Sequence, residues 1–459
     1  MAIIQHVSCG LRYALRDNVW SRHRTRELLE HDRWTVARLQ ALRDAFLYRT
    51  LHAAHRSIAR YRHITPPASP ADALVCLRES YPIVSKTDLL RQPTLYYPRA
   101  GRPLPWTIKG KTSGTTGTPL EVFRSLDSVR WEQAFKKRHW TWSGFRDGMR
   151  RASLRGDAIV PIERTKPPFW FFNRFSNQLL LSSRHLKSPF IGPIAETLRE
   201  FRPQLLEAYP STAFALASYL ERQHTELRIP FVFTGSEILH AYQRELIEER
   251  IGKVMDFYGM AERVAFASEC EAGNLHVNSD YSFVEIVDDG YEVTAGPGYV
   301  VGTTFHNLAM PLIRYRLSDR AVWKSGTCPC GRPYPMMESV TGKFEDVIFG
   351  TEGEPVSPSL VTFAFKGVRN VDSSQVAQVG QGTWEVRIVP AAGYSDSDGR
   401  QIVDNIHAMV DEKITVRTKL VREIPRTSAG KYRWVVNETA AACDSISVPA
   451  SRHAGGKTK

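Results

Sequence analysis

Apolar residues near the start of the chain recur at helical spacing. Leu47, Leu51, Ala54 and Ile58 follow one another at intervals of four, three and four, and Leu39, Leu42 and Phe46 lead into them one turn earlier. The spacing predicts one or two helices over Val19–Arg62. Three prolines between Ile64 and Ala71 then break the pattern and begin a linker. From Trp106 to Asp319 short apolar runs alternate with helical stretches. Glu207–Tyr209, Phe231–Thr234 and Val254–Tyr258 read as buried strands, each followed by a helix, which predicts a parallel α/β sheet. Phe283–Val287 and Tyr299–Phe305 read as short antiparallel strands around Asp288-Asp289-Gly290. After Thr341-Gly342 a smaller unit follows, with strands near Val347–Phe349, Trp384–Val389 and Val416–Val421 and a helix near Gly399–Lys413. From about Asn437 the chain turns to Ala, Ser, Gly and Lys without periodicity and reads as a disordered tail, residues 437–459. There are no internal repeats.

With 459 residues, 42% of them hydrophobic, the chain is long enough for two or three domains with large cores. A disulfide-stapled miniprotein, a collagen-like chain and a wholly disordered chain are excluded. The 61 Lys and Arg outnumber the 48 Asp and Glu, leaving +13, which favours anionic partners such as nucleotides, coenzyme A, nucleic acid or an acidic membrane surface. Much of that charge lies in the leader, residues 1–65, as a solvated helix face or an anion-binding arm. The amino terminus lacks a basic n-region and no apolar run of about 18 residues occurs, so neither a signal peptide nor a transmembrane segment is expected and the expected compartment is the cytoplasm.

The densest chemical signal is Lys111-Thr112-Ser113-Gly114-Thr115-Thr116-Gly117-Thr118-Pro119. Glycines let a backbone approach an anion closely, successive amides form a nest for phosphate oxygens, and the hydroxyls add donors. The order is not that of a Walker A loop. A polar surface loop is the alternative that physics alone leaves open.

This stretch resembles the phosphate-binding motif of the adenylate-forming superfamily, in the branch of phenylacetate–CoA ligases and CapK-like proteins related to coenzyme F390 synthetase. Five further stretches resemble that branch's landmarks in the correct order. Thr234-Gly235-Ser236-Glu237 is similar to its adenine-lining Gly-Glu turn, and Asp256-Phe257-Tyr258-Gly259-Met260-Ala261-Glu262 to its Tyr-Gly-x-x-Glu segment. Ile313-Arg314-Tyr315-Arg316-Leu317-Ser318-Asp319 is similar to its Arg-Tyr-Arg-x-Gly-Asp strand end, Thr341-Gly342-Lys343-Phe344-Glu345-Asp346 to its hinge, and Pro425-Arg426-Thr427-Ser428-Ala429-Gly430-Lys431 to its C-terminal lysine loop. The match spans about residues 60 to 435.

The resemblance implies an α/β fold: a large multi-layer N-terminal domain, residues 1–340, and a small mobile α+β C-terminal domain, residues 341–436. It also implies roles. Thr112, Ser113, Gly114, Thr115, Thr116, Gly117 and Thr118 hold the β- and γ-phosphates of ATP. Gly235, Ser236, Glu237, Asp256, Tyr258, Gly259, Asp319 and Lys343 complete the nucleotide site, with Tyr258 stacking on adenine and Asp319 accepting from the ribose hydroxyls. Glu262 carries Mg²⁺, and Lys431 bridges the substrate carboxylate and the α-phosphate. Glu345 and Asp346 form the hinge about which the small domain rotates for thiol attack. Lys343 replaces the family's arginine, Ser318 its glycine and Glu345 its aspartate, departures that bear on the hinge and the second half-reaction.

Cys328-Pro329-Cys330, with Cys270 and His276 about fifty residues upstream, supplies three thiolates and an imidazole, a set suited to a closed structural Zn²⁺ site. Unligated thiols and redox chemistry are the alternatives; Cys9, Cys76 and Cys443 stand apart. Some members of the branch carry a metal at matching cysteines. Pro167-Pro168-Phe169-Trp170-Phe171-Phe172, with Tyr209 and Pro210, lines an apolar acyl pocket or else belongs to the core or covers a domain surface. The expected activity is ATP- and Mg²⁺-dependent activation of a small carboxylic acid, then transfer to CoA. Its rivals are a CapK-like enzyme serving an amine, a hydroxyl or a cofactor, a basic nucleic-acid-binding protein and an inactive ligase-fold scaffold. No recognition motif for nucleic acid occurs. Oligomeric state is left open, a homodimer being one option.

Overall fold

The computed structural model describes residues 2–98, 106–111, 120–156, 159–161, 163–186, 189–341, 346, 348–356, 361, 364–365, 368, 370–391, 393–424 and 433–439. The helical spacing near the start becomes two helices, Val19–His31 and Val36–Ser57, preceded by a third, Ala2–Arg16. Asn18 and Thr35 start the second and third: their side-chain oxygens accept the otherwise unpaired N–H groups of Ser21 and Arg38. Leu47, Leu51, Ala54 and Ile58 are all buried, in one apolar core with Phe305, Leu312 and Tyr315.

The arginines of this leader are less free than either sequence reading supposed. Arg24 pairs with Asp127 at 2.6 Å and lies over the Trp131 ring, and Arg49 donates to the carbonyl of Phe305 at 2.8 Å. Beneath them runs a buried polar seam. Arg138 grips both oxygens of Asp280 at 2.6 and 3.1 Å, and His31 meets the same carboxylate at 2.8 Å. Asp32 accepts from Trp142 at 2.8 Å and from Tyr334 at 3.0 Å. The leader is thus bolted to the body of the protein through its second helix.

Among the described residues, fourteen strands form the main sheet. Gln178–Leu181, Arg151–Leu154, Leu205–Ala208, Phe231–Gly235 and Lys253–Gly259 lie side by side and parallel. Helices Ile191–Phe201, Pro210–Arg222 and Ala241–Arg250 contribute to the core on one face, with Leu206, Val232 and Val254. Helix Leu126–Trp142 covers the other, where Trp140 joins Leu205, Phe233 and Met255. The first two predicted strands are followed by helices, but the third is not. After Gly259 the chain reverses through Arg263, at φ 59°, and returns as the antiparallel strand Phe266–Glu269. That strand is buried throughout, and Phe266 stacks on Phe257 at 5.6 Å, so packing a second apolar strand at the sheet's centre prevails over a helix.

From there the main path is antiparallel, through Leu275–Val277, Met336–Thr341, Tyr315–Lys324, Gly298–Thr304 and Ser282–Asp288, while Val84–Ser85 pairs parallel with Tyr315–Lys324 off that path. The two strands expected around Asp288-Asp289-Gly290 do pair with each other. The turn itself, with φ 47° at Asp289 and 87° at Gly290, first folds Asp288 back onto Tyr291, forming a short edge strand.

The small C-terminal sheet has the order Thr415–Leu420, Thr383–Pro390, Val371–Gly380, Val435–Asn437, packed with helix Asp396–Met409 around Trp384, Ile402 and Trp434. Val371–Gly380 escaped the sequence reading because its buried polar pair, Ser374 and Gln375 on opposite faces, disguises it. They are buried, yet bonded to Trp434 Nε1 at 3.3 Å and to the Arg433 carbonyl at 2.7 Å. No described helix is long and apolar enough to cross a membrane. The expected tail lies outside the described residues from residue 440 on.

Candidate active site

In an open α/β sheet, ligands bind in the crevice beyond the carboxyl ends of the parallel strands, where the topology switches. The strand order reverses at Arg151–Leu154, beside Leu205–Ala208, and the parallel run from there ends at Lys253–Gly259, which has a parallel neighbour on one side and an antiparallel one on the other. Tyr258 and Gly259 form its carboxyl end. The Tyr258 hydroxyl donates to Asp319 Oδ2 at 2.7 Å, and Tyr315, on the same strand as Asp319, donates to Glu262 Oε1 at 3.4 Å. Burial and the Asp319 and Glu262 carboxylates hold the Tyr258 phenol well above its ordinary pKa, so it stays a donor. Two carboxylates from separate sequence motifs are therefore gathered by two tyrosines at one end of the sheet.

The neighbouring strand end supplies the Gly235-Ser236-Glu237 turn. A Cβ on Gly235 would stand 2.6 Å from the Phe257 ring, so only glycine fits there. Ser236 takes φ 72°, and Glu237 Oε2 accepts the backbone N–H of Ser211 at 3.1 Å. Ser318, standing where the family has glycine, is exposed on a strand and is not at positive φ, so the backbone there does not demand glycine.

Residues 112–119, the predicted phosphate loop, lie outside the described residues, but their flanks do not. Ile108–Lys111 and Glu121–Arg124 pair antiparallel, with Lys111 opposite Glu121 as the final pair. Arg124 crosses Gly110, whose missing Cβ would meet its guanidinium at 2.6 Å, and donates to the Ala261 carbonyl at 2.5 Å. The hairpin bearing the loop is thus tied one residue from Glu262.

Lys343, Glu345 and Lys431 also lie outside the described residues. Asp346 is described: it accepts from Arg433 and, at 2.8 Å, from the Asn437 backbone, and its own N–H reaches the Val435 carbonyl at 3.1 Å. Its charge is felt at His240, whose pKa burial lowers and Asp346 partly restores.

Asp256 sits apart from the tyrosine–carboxylate quartet. It accepts from Thr234 Oγ1 at 2.6 Å, and its backbone N–H donates to Glu269 Oε2, which Arg244 also engages. Burial, with Thr234 opposing and Glu269 adding to it, pushes the Asp256 carboxyl up to about 7. The folded protein holds that proton more tightly than the unfolded chain does. Its stabilising effect is present below about pH 4 and is lost as pH rises through about 7. Asp256→Asn, which keeps an acceptor for Thr234, is expected to gain on the order of 1 kcal/mol at about pH 8 and nothing at about pH 4. Urea unfolding at the two pH values measures this; an equal shift at both contradicts it.

Cys270, His276, Cys328 and Cys330 converge, their ligand atoms all within 4.8 Å of one another. Cys270 and Cys328 sulfurs are 3.6 Å apart, and tetrahedral Zn–S bonds of about 2.3 Å place two sulfurs about 3.8 Å apart. His276 Nδ1 lies 3.1 Å from the Tyr334 carbonyl, which can only accept, so Nδ1 carries the proton. Nε2 is left with its lone pair towards Cys330 Sγ at 3.3 Å. Burial raises the Cys328 thiol, but hydrogen bonds from Cys330 and Asn274 oppose it, and the net effect is to lower its pKa.

Sequence reading missed a second charged cluster. Glu207 receives Lys136 at 2.5 Å and Arg155 at 2.7 Å, and Arg155 reaches on to Ser236 Oγ at 3.0 Å. The available signal was a lone acid inside the apolar run Leu205-Leu206-Glu207-Ala208, which burial obliges to find cations. The aromatic run Phe169–Phe172 falls elsewhere. Phe169 is core, and Trp170–Asn173 is an edge strand whose Phe171 packs on His6 and Phe172 on Phe201. It lies three places across the sheet from the strand preceding Tyr209.

Comparison with known proteins identifies the family. The chain is 31% identical to a phenylacetate-coenzyme A ligase of Escherichia coli K12 over 357 residues, covering 71% of this chain and 75% of the relative. It belongs to the CapK and phenylacetate–CoA ligase branch of the adenylate-forming ligases. Protein CapK of Staphylococcus aureus is 25% identical over 347 residues, 72% of the ligase and 74% of that protein. Residues 348–438 match the CapK C-terminal domain. Among solved structures, 2-hydroxyisobutyryl-CoA ligase with 2-HIB-AMP and CoA in the thioesterification state superposes with a TM-score of 0.57 at 18% identity, covering 90% of the ligase and 93% of that chain. The same enzyme in its postadenylation state gives 0.56 at 17% identity, covering 91% and 93%. The fold is that of an adenylate-forming ligase, with a large mixed sheet and a small C-terminal domain, and ATP is the nucleotide such an enzyme consumes.

Proposed function

We propose that this ligase activates a carboxylic acid as its acyl-adenylate with Mg-ATP and then transfers the acyl group to CoA. The reading rests above all on the Tyr258–Asp319 and Tyr315–Glu262 pairs, gathered at the carboxyl end of strand Lys253–Gly259. Asp319 has an oxygen besides the one Tyr258 engages, suited to a ribose hydroxyl, while the Gly235-Ser236-Glu237 turn borders the base. Glu262, buried but for one edge and joined through Ala261 to the phosphate-loop hairpin, suits Mg²⁺, which takes one or two protein carboxylates plus phosphate oxygens. The metal, when bound, neutralises phosphate charge. Residues 112–118 cradle the β- and γ-phosphates, and Lys431 meets the charge that gathers on the α-phosphate as the carboxylate attacks. Pyrophosphate leaves, and the small domain, residues 341–436, turns about Glu345 and Asp346 for the thiol step.

Cys270, His276, Cys328 and Cys330 hold a structural zinc ion in this reading, a closed set with no position left for substrate. The match to the CapK C-terminal domain, together with Lys343 in the hinge, favours one second reading: transfer to an amine or hydroxyl without CoA. Acid-dependent ATP–pyrophosphate exchange is expected, with AMP release that then requires CoA. Exchange that is indifferent to CoA selects the second reading, and no exchange with any acid rejects both.

A further inference from the structure

The cluster around Glu207 carries more positive charge than its own stability calls for. Glu207 is almost wholly buried, and one well-placed cation would answer it. It has three: Lys136 at 2.5 Å, Arg155 at 2.7 Å and Arg151 at 3.9 Å. Three positive charges against one carboxylate leave two in excess among these groups. Like charges crowded in a water-poor place repel. Burial lowers the Lys136 pKa, and although Glu207 opposes this, Arg155 and Arg151 lower it further. A second anion at this spot would relieve that strain.

The cluster also lies where a substrate passes. Arg155 follows directly on the carboxyl end of strand Arg151–Leu154, its guanidinium stands 5.0 Å from the centre of the Tyr209 ring, and it donates to Ser236 of the nucleotide-site turn. Lys136 and Arg155 keep 20% and 21% of their side-chain surface open, whereas Glu207 keeps 6%. The cations, and not the carboxylate, are what an incoming group meets. Meanwhile the aromatic run that promised an apolar acyl pocket is spent on the sheet edge.

We infer that the acid this enzyme activates carries a second anionic group, a carboxylate at the end remote from the one adenylated, received by Arg155 and Lys136 beside Tyr209. This rests on the adenylation reading and narrows its substrate to dicarboxylate-type acids.

The test is hydroxamate trapping with the full chain, Mg-ATP and matched acids: hexanoate against adipate, and phenylacetate against its para-carboxylate. The dianionic member of each pair is expected to be favoured about tenfold or more in kcat/KM. The ratio should fall towards one in Arg155→Gln, through KM, and be largely retained in Arg155→Lys. If Arg155→Gln does not fold, Lys136→Gln carries the same test, and an unchanged ratio there overturns the inference. Monocarboxylates converted as well as or better than their dianionic partners overturn it too, while leaving adenylation intact. No hydroxamate from any acid, with the protein folded, removes the adenylation reading and this inference with it.

Discussion

Lys431→Ala is expected to lower acyl-adenylate formation by about two to three orders of magnitude while leaving ATP affinity nearly unchanged. The reason is where charge concentrates. As a carboxylate oxygen attacks the α-phosphorus, two anions are forced together, and negative charge gathers on the non-bridging oxygens before pyrophosphate departs. An ammonium group placed there acts on the transition state far more than on bound ATP, so its loss appears in kcat and not in nucleotide binding. The described residues just beyond this lysine are firmly placed: Trp434 is buried in the small domain's core, and Arg433 binds Asp346 at the domain's entrance. Hydroxamate trapping gives the rate, and equilibrium ATP titration gives the affinity. Equal rates for the two proteins remove Lys431 from the reaction; a matching loss of ATP affinity turns it into a simple binding residue.

Cys328→Ser is expected to release the metal and cost about 3 kcal/mol or more of stability, with adenylation persisting in whatever fraction stays folded. Cys328 is one of three thiols in the proposed ligand set, and hydrogen bonds from Cys330 and Asn274 already lower its pKa without an ion. Its loop and the strand bearing His276 are distant in sequence, and Tyr334 links both to the polar seam by bonding Asp32 and Arg138 through its hydroxyl and His276 through its carbonyl. Freeing the ion therefore loosens two loops and strains the attachment of the leader. Elemental analysis of protein purified under reducing conditions should give about one zinc per chain for the natural protein and almost none for the variant. Natural protein without metal, or a variant with an unchanged melting temperature, contradicts the assignment.

The parts of the fold legible in the sequence were those in which one signal was repeated. The parallel strands stood out because Phe231–Gly235 is buried on both faces and Lys253–Gly259 buries its Val254 and Met255, and the leader because its apolar positions keep a helical period over three turns. Strand Phe266–Glu269 was misread because Phe-Ala-Ser-Glu has little intrinsic preference, and its identity comes from Phe257 and the sheet around it. The family's motifs were legible as short strings with fixed chemistry, and so was the Cys/His set that converges, although nothing in its spacing says that Cys270 and Cys328 end 3.6 Å apart. Glu207 was invisible for the opposite reason. A single acid in an apolar run has no motif, and its partners Lys136 and Arg155 come from a helix and a strand end far away in the chain.

The seam joining Arg138, Asp280, His31, Asp32 and Tyr334 also sets how this enzyme can be cut and recombined. A chimera that swaps the catalytic body between relatives but keeps its own first sixty residues would face Asp280 and Arg138 with an ill-matched cover, stranding a guanidinium–carboxylate pair half in water. Engineers seeking new acyl specificity should therefore treat the opening helices and the central sheet as one inherited block and place their junctions after the last strand of the large sheet.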